Sequence, residues 1–457
     1  MEQILESTAP RTFSLHEQHG NVDLVRVLRV LGFDKVWTRG FGPYLFDAQG
    51  HRYLDLVGGF GVFALGRNHP EVRRVLKQAL DLDLPNLTKL GVSRLGGALA
   101  EKLVSLAPGD LSRVYFSNSG TEGVETAIKY ARAATGRDRI LYCKKGYHGL
   151  TMGALSANGG GEFREGFGKL LADFTEIPFN DLGALEAELT KRDVAGFVVE
   201  PIQGKGVFVP SDDYLPGAAE LCRRHGAVFI ADEVQTGLGR TGRLFACEHW
   251  GVEPDILVLS KALSAGQVPV GAVLCRDWIH RKVFGRMDRC MVHSTTFTQN
   301  DLAMAAGLAF LHVVEEERLV ENAATVGGYL IDRLRELATR HDFIHDVRGR
   351  GCLVAIEFGP PKRTTLRLGW NLLRRLEPTL FSQGVLIPLF RDHRILAQVA
   401  GHHLNVIKFL PPLVITKEDV DWLIGALDEV LASCARFPGP VWDIARQLHS
   451  FLRKRSE

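Results

Sequence analysis

The sequence predicts an α/β fold built on a mostly parallel sheet, and two observations predict it. Between about residues 112 and 276, short apolar runs alternate with amphipathic stretches of helical period, as in strand–helix–strand crossovers. At the carboxyl ends of three of those runs stand Glu200, Asp232 and, after Ser260, Lys261. Open α/β sheets hold ligands on that rim.

The elements follow in order. Residues 1–20 are polar and unpatterned, which predicts a mobile arm. Leu24, Val25, Leu28 and Leu31 recur at helical spacing, giving a short helix over 22–32. Val36-Trp37-Thr38, Tyr44-Leu45-Phe46 and the run from Arg52 to Leu56 read as an antiparallel meander turning at Asp47–Gly50. After Gly58, Gly59 and Gly61, a helix opens at Gly66-Arg67-Asn68-His69-Pro70 and runs to about Leu80. Strand Val114–Phe116 leads to Ser117-Asn118-Ser119-Gly120-Thr121-Glu122, where Ser119 and Glu122 have capping-box spacing. Val124, Ala127, Ile128 and Ala131 form the apolar face of the helix that follows. Further strands are expected at 140–142, near 175–177, at 196–199, 227–231, 256–259 and 269–275, with helices at 182–190 and 214–225. Ser294, Thr295, Thr296 and Thr298 precede a long helical stretch over 301–336. Past about 340 the pattern changes to strand 352–358, a helix near 370–381, strands 385–388 and 406–409, and a helix over 417–431. The expected division is an arm, helix and meander (1–57), a large domain (58–338), a small α+β domain (339–432) and a C-terminal extension (433–457).

Composition bounds the function. The 457 residues are 46% hydrophobic and 24% charged with a formal net charge of +2, which lacks the basic footprint of a nucleic-acid binder. Seven scattered cysteines without CxxC or Cys/His spacing predict reduced thiols, no metal site and a cytoplasmic protein. No apolar run reaches membrane-spanning length.

A carboxylate at one strand end and a lysine at a later one form the pair that pyridoxal 5'-phosphate (PLP) requires. The amine binds the cofactor covalently, and the carboxylate keeps the pyridine nitrogen protonated so that the ring accepts electrons. A glycine and hydroxyl residues at a helix start, as at Ser119-Gly120-Thr121, make a phosphate site, although the same pattern also serves plain capping. Tyr147, in Gly146-Tyr147-His148-Gly149, is placed to stack on a planar ring or to fill the core.

Taken together, SNSGTEGVETAIKYAR, YHG, VVEPIQG, ADEVQTGLGRTG, SKALSAG, STTFTQN, VRGRG and FLPPLVIT resemble the class III aminotransferases, of ornithine and 4-aminobutyrate type, over about residues 35–432. The resemblance implies a fold type I PLP enzyme working as a homodimer with shared sites. It implies that Lys261 holds PLP and moves the substrate proton, that Asp232 pairs with the ring nitrogen, and that Val234 and Tyr147 cover its faces. Gln235 would lie near the phenolic oxygen, Gly120 and Thr121 would cradle the phosphate, and Thr296 would reach the neighbouring subunit's phosphate. Glu200 would line the substrate pocket as the family's gate carboxylate.

The departures bear on substrate. Lys408 stands where many members carry an arginine that forks an α-carboxylate, and a lysine cannot make that planar pair. Arg67 occupies the first histidine position of the usual GH-x-HP. Phe60, Val62 and Phe63 give the expected entrance an apolar set. The stretch His393–Gly401 with the Lys408 ending is similar to a subgroup that aminates lipid-type aldehydes, including hopanoid side chains. The expected activity is ping-pong transfer of an amino group between an amine or amino-acid donor and an aldehyde or 2-oxo acid, with one substrate apolar or lipid-linked. The alternatives are a diamine or ω-amino acid aminotransferase using 2-oxoglutarate or pyruvate, and a PLP-dependent decarboxylase or aminomutase. Residues 437–455 form a basic amphipathic pattern, open to peripheral membrane contact or to packing on the chain or across a dimer.

Overall fold

The computed structural model describes residues 1–436, 439, 442 and 443, without the side chain of Leu376. Its centre is a seven-stranded sheet in the order Arg113–Ser117, Gly271–Cys275, Ile256–Leu259, Val228–Asp232, Val194–Val199, Arg139–Cys143, Phe174–Ile177. Gly271–Cys275 runs antiparallel to both of its neighbours, and the other pairs are parallel. Six strands therefore point the same way, and the loops after them meet on one rim.

Both faces of the sheet are buried, which is why its strands read as unbroken apolar runs. Val228, Ile230, Ile256 and Val258 pack into one core, with Val124, Ala127, Ile128 and Ala131 of helix Gly120–Thr135 covering them. Their alternates Phe229, Ala231, Leu257 and Leu259 enter a larger core on the opposite face. Gly136, at φ 69°, ends the covering helix in the left-handed conformation that glycine tolerates.

Two smaller sheets flank this centre. The meander Trp37–Phe41, Tyr44–Asp47 and Arg52–Asp55 gains Ile395–Leu396 as a parallel fourth strand. The other sheet has the antiparallel order Ile344–Arg350, Leu353–Phe358, Val406–Phe409, Gln398–Val399.

Several expectations are corrected. The arm contains helices Glu2–Thr8 and Thr12–His19, which bury no residue, so the missing apolar stripe did not preclude local helix. The stretch over 301–336 is two helices, Asp301–Glu316 and Leu319–Arg340, broken at Arg318 where φ is 51°. The expected strand 385–388 lies inside helix Leu380–Arg391, and the helix before it is Thr364–Leu376. Residues Val385 to Phe390 are buried all round the helix, so no polar face marks its period. Helices Arg94–Leu106 and Asp277–Phe284 and strand Ile344–Arg350 had no counterpart in the reading of the sequence. The capping box is half formed: Ser119 Oγ accepts from Glu122 N (3.3 Å), while the Glu122 carboxylate takes Asn118 N (2.7 Å). Asn300, rather than a hydroxyl residue, caps helix Asp301–Glu316 by accepting from Ala303 N at 2.8 Å.

The extension 437–455 lies outside the described residues except at 439, 442 and 443. There Trp442 is buried against Phe343 and Phe381, and its Nε1 donates to Cys434 O at 3.0 Å. Among the described residues, no helix is long and apolar enough to cross a membrane.

Candidate active site

The codirectional strands deliver their polar residues to one rim. Asp232 closes Val228–Asp232 at 3% exposure; its Oδ1 accepts from Val234 N (3.1 Å) and its Oδ2 lies 2.7 Å from His148 Nδ1. Glu200, after Val194–Val199, is buried and accepts from Tyr147 N (2.9 Å) and Gly204 N (2.8 Å). Lys261, after strand Ile256–Leu259 and Ser260, sits at φ 36°, a conformation side chains rarely adopt, and opens the short turn Lys261–Ser264. Ser260 beside it is fixed by donating to Val270 O at 2.7 Å.

The charges of these groups interact. Burial pulls the Lys261 amine below an ordinary lysine's pKa, and the charges of Asp232 and Glu200 limit the fall. Burial raises the Glu200 carboxyl. Burial opposes a charge on His148 too, but its hydrogen bond to Asp232, with the charges of Asp232 and Glu200, holds its pKa above the ordinary value. His148 Nε2 is buried without a hydrogen-bond partner among the described residues.

The phosphate-type cradle is next to this cluster. Gly120 and Thr121 begin helix Gly120–Thr135, where backbone N–H groups have no acceptor within the helix. A Cβ on Gly120 would stand 2.8 Å from Val234 Cγ1, so only glycine lets the helix start pack on the residue that Asp232 anchors. Thr121 Oγ1 lies 2.8 Å from Thr151 Oγ1, and a Cβ on Gly149, two residues after Tyr147, would collide with it. The Tyr147 ring meets Phe163 edge-on, centroids 5.4 Å apart.

A third group closes the site from the C-terminal sheet. Lys408, 6% exposed on strand Val406–Phe409, donates to Gly204 O (2.8 Å) and Gln235 Oε1 (3.2 Å). Burial, with the charge of Lys261 adding to it, lowers its pKa to about 7. Gln235 Nε2 donates in turn to Phe60 O at 3.0 Å. Phe60 itself sits at φ 60° and is 62% exposed, and Phe63 packs on Gly266, five residues after Lys261. Contacts thus link Gly120 to Val234, Tyr147 to Glu200, and both Phe60 and Lys408 to Gln235, while Asp232 and Glu200 lie near enough to Lys261 to act on its charge. Thr296 lies elsewhere in character: it is exposed, beside Thr295, whose Oγ1 accepts from Asn118 Nδ2 at 3.0 Å.

His148 and Arg240 were not singled out from the sequence. Arg240 is buried and donates to the carbonyls of Cys352 (3.2 Å), Pro411 and Gly61 (3.4 Å). Both lie inside quoted motifs, YHG and ADEVQTGLGRTG, which was the available signal.

These residues fit PLP. The set offers a carboxylate, an amine, an N–H cradle whose glycine has no room for a side chain, and a buried His148 nitrogen still able to bond. When bound, PLP supplies an electron sink for the substrate carbon that carries nitrogen.

Comparison with known proteins agrees. The family described as aminotransferase class-III matches residues 31–431. Aminotransferase PigE of Serratia sp. (strain ATCC 39006) is 38% identical over 93% of this chain. The chain spans about half the length of that relative, 54%. Ornithine aminotransferase from Toxoplasma gondii, solved with partial PLP occupancy, superposes with a TM-score of 0.78 at 32% identity, covering 88% of this chain and 91% of that one. A PLP-bound amine transaminase from an uncultivated Pseudomonas species gives 0.77 at 32% identity, covering 88% and 95%. The fold is fold type I, the cofactor is PLP, and the chain belongs to the class III aminotransferases.

Proposed function

We propose that this enzyme moves an amino group between an amine or amino-acid donor and an aldehyde or 2-oxo acid acceptor in two half-reactions, one partner being apolar or lipid-linked. The state of Lys408 carries the substrate reading. Its ammonium position is buried, already bonded to two acceptors, and has a pKa of about 7. It offers no fork and only a weak charge to an α-carboxylate. Both Glu200 oxygens are likewise engaged by backbone N–H groups. The remaining contacts on this side, Phe60, Val62 and Phe63, suit an alkyl chain.

In this reading Lys261 binds PLP and moves the proton at the substrate carbon that bears nitrogen. Burial favours the uncharged form of its amine, the form able to accept that proton. Asp232, oriented by His148 and Val234 N, holds the pyridine N–H. Gly120 and Thr121 hold the phosphate, Val234 and Tyr147 cover the ring, and Gln235 faces its phenolic oxygen. Small amines such as ornithine form the second reading, which the name of the Toxoplasma gondii enzyme favours.

The assembly we propose is a cytoplasmic homodimer in which Thr296 reaches the other copy's phosphate. Leu90 and Val92, and nearby Phe297, are exposed large apolar side chains on adjoining segments, where Lys89 Nζ donates to Thr295 O at 3.2 Å. Such surface is suited to burial against a partner. Residues 58–338 and 339–432 are proposed as the large and small domains.

The test is an acceptor panel at fixed donor, comparing a long-chain aldehyde with pyruvate and 2-oxoglutarate, with product amines identified by mass. Amine from the aldehyde is expected. Turnover of the oxo acids with none from the aldehyde would favour the small-substrate reading instead.

A further inference from the structure

We propose that Arg67 is a positioning residue that fixes the apolar wall of the active site by clamping Phe63 onto the turn following Lys261. The inference rests on the reading above, in which the Phe60–Phe63 segment faces substrate.

Arg67 occupies a built seat. Its Nε and Nη2 both donate to Asp55 Oδ2, at 3.1 and 2.8 Å. Asp55 is buried, and its other oxygen accepts from Val57 N (3.1 Å) and Gly58 N (2.9 Å). One carboxylate therefore ties the guanidinium to the first residues of the Gly58–Gly61 turn. A Cβ on Gly40 would stand 2.6 Å from Arg67 Cδ, so residue 40 leaves the room this long side chain needs.

The planar face of Arg67 then covers Phe63, its Cζ 4.0 Å from the ring centroid. The same ring is bounded by two glycines: an added Cβ would stand 2.9 Å from it at Gly59 and 2.6 Å at Gly266. Gly266 ends the segment that Lys261 begins. Gln235 holds Phe60 O and Arg240 holds Gly61 O, so the turn is also pinned at two of its carbonyls. Phe63 has little freedom while Arg67 is in place. Lysine at 67 would keep the charge beside Asp55 but lose the flat cation that stacks on the ring.

The experiment compares wild-type holoenzyme with R67K, F63A and R67K/F63A, using a short alkylamine and a long-chain one. We expect R67K to raise KM for the long amine about tenfold, the scale of a lost stacked cation with its paired hydrogen bonds. Its kcat, its visible cofactor absorption and its KM for the short amine should stay at wild-type values, with only a small fall in thermal midpoint. F63A should shift the long-amine KM similarly, and R67K should add nothing in the F63A background. Wild-type behaviour of R67K, full additivity with F63A, or equal losses on both amines with a lowered thermal midpoint would each overturn the proposal. Should wild type reject the long amine, the proposed substrate class fails; the R67K effect, read on the longest amine accepted, still decides the role of Arg67.

Discussion

His148 Nδ1 and Asp232 Oδ2 lie 2.7 Å apart, with both side chains buried at the ends of separate strand–loop units. The pair gives Asp232 a fixed orientation, and Val234 N holds its second oxygen.

His148→Ala removes that support. The account predicts weaker retention of PLP and a kcat lower by about tenfold or more, since hydrogen bonds to charged groups contribute about 1.5–3 kcal/mol. Cofactor titration and single-turnover rates check this, and wild-type values for both would contradict it.

Gly120→Ala places a methyl where Val234 Cγ1 already stands. Either the helix start or Val234 must move, and both are assigned to the cofactor. The expected result is a weaker apparent affinity for PLP with little change in global unfolding. Equilibrium dialysis and thermal melts of the apo and holo forms measure the two effects separately.

Lys408 gives a pH prediction. In the folded chain it releases its proton at about pH 7, whereas unfolded it holds that proton to about 10.5. The unfolded chain therefore binds more protons between those values, and stability rises with pH across that window. Toward pH 7 and below, this contribution is lost. Lys408→Met should flatten the rise in urea midpoint between pH 7 and 10, and an unchanged slope would contradict the assignment.

What the sequence disclosed followed its physical patterns. Asp232 and Lys261 were legible because a strand buried on both faces is an apolar run with a sharp polar end. Helix Gly120–Thr135 was legible from its covered face, Val124, Ala127, Ile128 and Ala131. The pairing of His148 with Asp232 was not, because 84 positions separate them and no periodicity links loop residues. Part of helix Leu380–Arg391 reads as a strand in the sequence because full burial erases its period and leaves only short apolar runs. The seat of Arg67 was equally hidden: a departure from GH-x-HP shows in the sequence, but its contact with Phe63 exists only after folding.

The most direct test of the account is single-turnover spectroscopy of the PLP-loaded enzyme against glutamate, alanine, ornithine, putrescine, 4-aminobutyrate and a long-chain alkylamine, with Lys261→Ala in parallel. The account predicts that the long-chain amine converts the visible cofactor band and yields the matching aldehyde. It also predicts that Lys261→Ala lacks the band and loses turnover by orders of magnitude. Conversion by the small amines alone would contradict the substrate assignment, and an active Lys261→Ala enzyme with unchanged absorption would contradict the site itself.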